Sequence, residues 1–173
     1  MREMSVYGVS LDLASKQPIV LLKTVDGNTF LPIWVGHPEA AAILIQLQGN
    51  EPPRPLTHDL ACALVASLDA EVVRVTVTAL RENTFHASIT LRRDGGEVEV
   101  DSRTSDAIAI ALRADAQIFA HDSVIEGSGV EFEEDAPELE RLLDPEQELD
   151  DFRRFLDTVS PDEFKAAGDE PPP

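Results

Sequence analysis

The sequence predicts an α+β fold with a mixed, largely antiparallel curved sheet, in the order β-β-β-α-α-β-β-β-α-β, followed by short C-terminal helices. Three observations lead there. Three neighbouring segments between residues 73 and 100 alternate apolar and polar residues, the pattern of a meander with one buried face. Helical stretches separate runs of strands instead of alternating with them one for one, which speaks against a doubly wound parallel sheet. The acidity is concentrated late in the chain: of a formal net charge of −19, residues 1–130 hold 10 Lys/Arg against 17 Asp/Glu, and residues 131–173 hold 4 against 16.

Tyr7, Val9, Leu11 and Leu13 alternate with mostly polar or small residues, as on a half-buried strand. Pro18 opens Ile19-Val20-Leu21-Leu22, a continuous apolar run suited to a strand covered on both faces. Asp26-Gly27 follows and reads as a type I′ hairpin turn. The strand from Thr29 to Val35 contains Pro32, which places it at a sheet edge or strand end. A first helix starts near Pro38-Glu39, with His37 in a capping position, and stops at Gly49. Thr57 is expected to cap a second helix running to about Leu68. Strands then carry Val73/Val75/Val77/Ala79, Phe85/Ala87/Ile89/Leu91 and Val98/Val100 on their apolar sides. Ser105 to Arg113 is a helix apolar nearly all round, hence deeply buried, and Gln117 to Ala120 is a short last strand.

The chain divides into an α+β domain over 1–130 and an acidic tail over 131–173. In the tail Leu139, Leu142 and Leu143, then Phe152, Phe155, Leu156 and Val159, have helical spacing, and Ser160-Pro161-Asp162-Glu163 is a capping box. The final Asp169–Pro173 stretch reads as disordered. With Cys62 the one cysteine, no internal disulfide or cysteine zinc site can form. No apolar run suits a signal peptide or a membrane span, so the expectation is a cytoplasmic protein with no membrane partner.

Glu39, Asp59 and Asp106 each fall in the first turn of an expected helix. One account is dipole complementation, worth roughly 0.3–1 kcal/mol each. The other is convergence with His58 around Mg²⁺ or Mn²⁺, which take oxygen ligands and activate water; no organic cofactor is expected. His58 reads as an exposed or capping residue, or as a general base. His86 lies on the polar sheet face. Arg54 and Arg103 precede helix N-termini, where free N–H groups favour phosphate, and ion pairing with nearby carboxylates is the alternative.

Leu31-Pro32-Ile33-Trp34-Val35-Gly36, Glu39-Ala40, Arg54-Pro55-Leu56-Thr57-His58-Asp59-Leu60, Phe85-His86-Ala87 and Ser102-Arg103-Thr104-Ser105-Asp106-Ala107-Ile108-Ala109 together resemble the bifunctional nuclease family over roughly residues 4–126. The resemblance implies an α+β domain that associates as an oligomer, with a dimer favoured, and activity on RNA and DNA. The family pattern has proline where this chain has Thr104. Two functions follow as expectations. The first is metal-assisted phosphodiester hydrolysis, with His58, Asp59, Asp106 and Glu39 as acid/base groups or ligands and Arg54 and Arg103 on phosphate. The second is a non-enzymatic regulatory or assembly role in which the tail docks a protein partner or a subunit. The tail's acidity opposes nucleic-acid binding, which depends on Lys and Arg displacing counterions.

Overall fold

A computed structural model describes residues 1–12 and 16–131. The expected tail helices and disordered end lie outside the described residues. Strands β1 (Arg2–Leu11), β2 (Pro18–Thr24) and β3 (Thr29–Trp34) precede helices α1 (His37–Leu47) and α2 (Thr57–Ser67). The meander β4 (Glu71–Arg81), β5 (Thr84–Arg93) and β6 (Gly96–Arg103) follows. Then come α3 (Thr104–Ala114), β7 (Gln117–Ala120), α4 (Asp122–Ser128) and β8 (Val130–Glu131). The strands form one sheet ordered β6-β5-β4-β7-β1-β2-β3-β8. Only β4 and β7 pair in parallel, a consequence of the α3 crossover. The fold is therefore the expected α+β arrangement, with α4 and β8 added at its end.

Side-chain alternation decides which face is the core. Val75 and Val77 of β4, Ala87 and Ile89 of β5, Val20 and Leu22 of β2, and Leu31 and Ile33 of β3 point to one face. On that face they meet Ala40 and Ile43 of α1, Ile108 and its neighbours in α3, and Val124 and Ile125 of α4. The central helix is α3: Ala107, Ile108 and Ala109 are fully buried, and α1 and α2 pack against it. Its small residues let three helices and a sheet approach closely, which is why it reads as apolar on all sides.

Several local expectations change. The β4–β5 and β5–β6 hairpins carry the positive-φ pairs, Glu82-Asn83 and Asp94-Gly95, as two-residue turns require. Asp26 and Gly27 have no positive φ, because β2 and β3 are joined by four residues and need no such turn. The N-cap of α1 is Gly36, not His37, and that of α2 is Leu56, not Thr57. Leucine cannot cap, so Asp59 does the work from within the helix, accepting the Leu56 N–H at 2.7 Å. Pro32 does sit at an edge: β8 pairs with β3 only at Thr29 and Phe30.

Thr104 is the first residue of α3, and its hydroxyl is buried with no hydrogen-bond partner among the described residues. Arg103, the N-cap, is extended at φ −64 and ψ 144, the conformation a residue before proline adopts. A first-turn proline costs no helical bond. Thr104→Pro should therefore raise stability by about 1 kcal/mol, through loss of the orphaned hydroxyl and of unfolded-chain entropy. Urea unfolding of the two proteins checks this, and destabilisation would refute it.

Candidate functional site

Three helices begin at one place. Glu39 lies in the first turn of α1, His58 in that of α2 and Asp106 in that of α3. Hydrogen bonds link them in a chain. Arg103, the α3 N-cap residue, gives Nη2 to Glu39 Oε1 at 2.9 Å. It also gives Nε to Asp106 Oδ2 at 2.6 Å and Nη2 to Asp106 Oδ1 at 2.9 Å. Asp106 Oδ1 lies 3.0 Å from His58 Nε2. If Nε2 carries the proton toward this carboxylate, Nδ1 is left with a lone pair.

The helices reach this point for separate reasons. At the α1 entry a Cβ on Gly36 would collide with Oε2 of Glu39, so glycine there leaves the Glu39 carboxylate in its present place. The α2 and α3 axes run side by side in the same direction, since His58 meets Asp106 and Cys62 lies beside Ile110 one turn later. Cys62 is thus a small packing residue whose thiol burial pushes up. Behind the site, Arg113 fixes the angles. Its side chain is only 5% exposed and pairs with Asp59 of α2. It also donates to the Ala42 carbonyl of α1 at 3.1 Å and to the Ala109 carbonyl of its own helix at 2.9 Å.

Of the residues expected to act together, Glu39, His58, Arg103 and Asp106 are contiguous. Asp59 adjoins His58 in sequence, but its carboxylate is directed to Arg113 and the Leu56 amide. Arg54 is exposed on the connector before α2 and takes part in none of the ion pairs found among the described residues. The carboxylates do not form a cage: the Arg103 guanidinium lies between Glu39 and Asp106. Among the described residues no three His, Cys, Asp or Glu side chains group as metal ligands. Arg113 went unnoticed in the sequence, although a lone cation ending an apolar helix has to find a partner. On the polar face of the meander, Arg74 bonds Glu97 and Glu99, and Arg92 bonds Glu71 and Glu97. His121 is the N-cap of α4.

Electrostatically the site is balanced. Helix N-termini contribute positive potential, answered by three carboxylates. Burial pushes the Asp106 carboxyl up, but Arg103 and His58 together hold it below the usual range. Asp59 follows the same logic: burial is outweighed by the Leu56 amide and Arg113.

The sequence matches the family described as Bifunctional nuclease domain over residues 20–133. Two proteins of Mycobacterium tuberculosis, one from each of two strains and both called uncharacterized, are 40% identical over 166 residues, 96% of this chain and 99% of theirs. A rice protein called Bifunctional nuclease 2 (Oryza sativa subsp. japonica) is 26% identical over 127 residues, 71% of this chain and 39% of the rice one. No described helix is long and apolar enough to cross a membrane.

The lowered Asp106 carboxyl sets a pH dependence. Its folded pKa lies below the unfolded value, so its stabilisation is complete above about pH 4 and is lost as pH falls through the folded pKa. Asp106→Asn should therefore be less stable than the parent at pH 7, with the difference shrinking at pH 3. Urea unfolding at both pH values checks this, and an equal difference at both would show that the ion pairs contribute nothing.

Proposed function

The chain belongs to the bifunctional nuclease domain family, and from that premise we propose that it hydrolyses phosphodiester bonds of RNA or DNA at the meeting point of the α1, α2 and α3 N-termini. The supporting observation is the hydrogen-bonded run Glu39–Arg103–Asp106–His58 across three helix starts. Converging helix N-termini favour an anion, and Arg103, with a side chain 67% exposed, is free to exchange a carboxylate for a phosphate oxygen. Arg54, on the exposed connector that leads into α2, is the second arginine we propose for phosphate. His58 accepts the proton of the attacking water as its oxygen bonds to phosphorus and the bond from phosphorus to the leaving sugar oxygen breaks. The imidazolium, stabilised by Asp106, which also holds the tautomer, then returns the proton to that leaving oxygen. Asp59 fixes the α2 start and so aims His58. The rice relative's name supports this class of reaction. The carboxylates as arranged do not suit a three-ligand Mg²⁺ or Mn²⁺ site, so no step is assigned to a metal.

Hydrolysis of labelled single-stranded RNA and DNA tests the proposal, with Mg²⁺, Mn²⁺ or EDTA present. Cleavage is expected to fall about 10²–10⁴-fold in His58→Ala and to require higher substrate concentration in Arg103→Gln. Absence of cleavage in every condition, or cleavage indifferent to both substitutions, would sink the assignment.

A second reading, assembly, rests on the outer surface of α2. No residue of this helix is buried, and Leu60, Leu64 and Leu68 are each more than half exposed. Thr57, Ala63 and Ser67 share their exposed surface, so the stripe carries no charge. In a chain of net charge −19, an uncharged apolar stripe is where two copies approach with least repulsion, and a two-fold axis needs only one such patch. We read it as a homodimer surface. Leu64→Glu is expected to leave the fold intact and yield monomers in sedimentation velocity; a parent that is already monomeric, or a variant that still associates, would remove this reading.

A further inference from the structure

The sheet has a second apolar face, away from the helices. Partners across strands share a face. Ile19 pairs with Trp34 and Leu21 with Pro32, while Lys23 pairs with Phe30. These are the alternates of Val20, Leu22, Leu31 and Ile33, which belong to the core under the helices. Ile19, Leu21 and Phe30 are 8%, 3% and 2% exposed, yet none belongs to that core cluster. Ala40 and Ile43 of α1, Ala107, Ile108, Ala109 and Ala111 of α3, and Val124 and Ile125 of α4 belong to the opposite side. Tyr7 stacks edge-on against Phe30 with centroids 5.1 Å apart, and Lys23 Nζ stands 5.9 Å and 5.5 Å from their two rings.

Where the described chain ends bears on what covers this face. Val130 pairs with Phe30 and Glu131 with Thr29. The described chain therefore ends with residue 131 at the β3 edge, beside the most buried aromatic of the strip. The 42 residues that follow carry the apolar stripe Phe152, Phe155, Leu156 and Val159 within a strongly acidic composition. An apolar stripe suits Ile19, Leu21, Phe30 and Trp34, and acidic flanks suit Lys23. From these matches we propose that residues 132–173 dock on the outer face of β1–β3 of their own chain.

Trp34 is the one tryptophan and lies at the end of this face, 52% exposed, so it is both a probe and a mild site for substitution. Limited trypsin digestion of the full chain reads cleavage at Arg153 and Arg154. The parent should resist, and both Phe155→Asp and Trp34→Asp should be cut several-fold faster while far-UV circular dichroism and thermal unfolding show the domain intact. In Phe155→Asp the Trp34 emission should move to the red and quench more readily with acrylamide. Equal cutting rates in all three proteins would overturn the proposal. So would protection in the parent that disappears on hundredfold dilution, since the cover would then come from a second copy.

Discussion

A buried guanidinium organises the helical layer. Arg113 follows the apolar run Ala107–Leu112 of α3 and is nearly sealed from water, and a charge in that position is tolerable only when paired and hydrogen-bonded. Its fork is shared among the Asp59 carboxylate and two carbonyls from different helices. Each partner constrains one helix: Ala42 the position of α1, Asp59 the start of α2, Ala109 the side chain's own path back along α3. Stripping away a partner would leave a buried charge uncompensated, at a cost of about 3–5 kcal/mol. The geometry of the front of the layer, where the first turns of all three helices meet, follows from this fixation behind it.

At that front, positive and negative features almost cancel, which matters in an acidic protein. An open cluster of helix N-termini and arginine would attract any polyanion, whereas Glu39 and Asp106 already occupy Arg103. If the site takes phosphate as proposed, the ligand would displace carboxylates one hydrogen bond at a time, so geometry would be tested before affinity is gained. On the proposed reading the carboxylates would serve selectivity while they also neutralise helix dipoles.

Much of the fold was legible because it rests on periodicity. The alternation of Val73 to Val100 gave the meander, and the apolar run Ala107–Leu112 gave the central helix. What was missed rests on position. The seven residues of α4 and the two of β8 are too short for a repeat to be visible. The start of α2 was displaced by one residue because Asp59 caps from inside the helix. The gathering of Glu39, His58, Arg103 and Asp106 was guessed from their common place at helix starts, but the spacing alone carries no information on which helices are neighbours. Asp59 was grouped with them for the same reason, although Arg113, invisible until paired, draws its carboxylate elsewhere.

The two margins of the sheet are closed by different means. On one side β8 covers the first residues of β3, and Pro32, without an amide proton to offer, lies in the stretch it leaves open. On the other, β6 sets Glu97, Glu99 and Asp101 along an exposed strand. A stray β-segment meets a missing donor at the first margin and repeated negative charge at the second. The benefit falls on crowded conditions and on newly made chains, when strands that could template a neighbour do most harm: the sheet is finished at both ends and resists growth into aggregates.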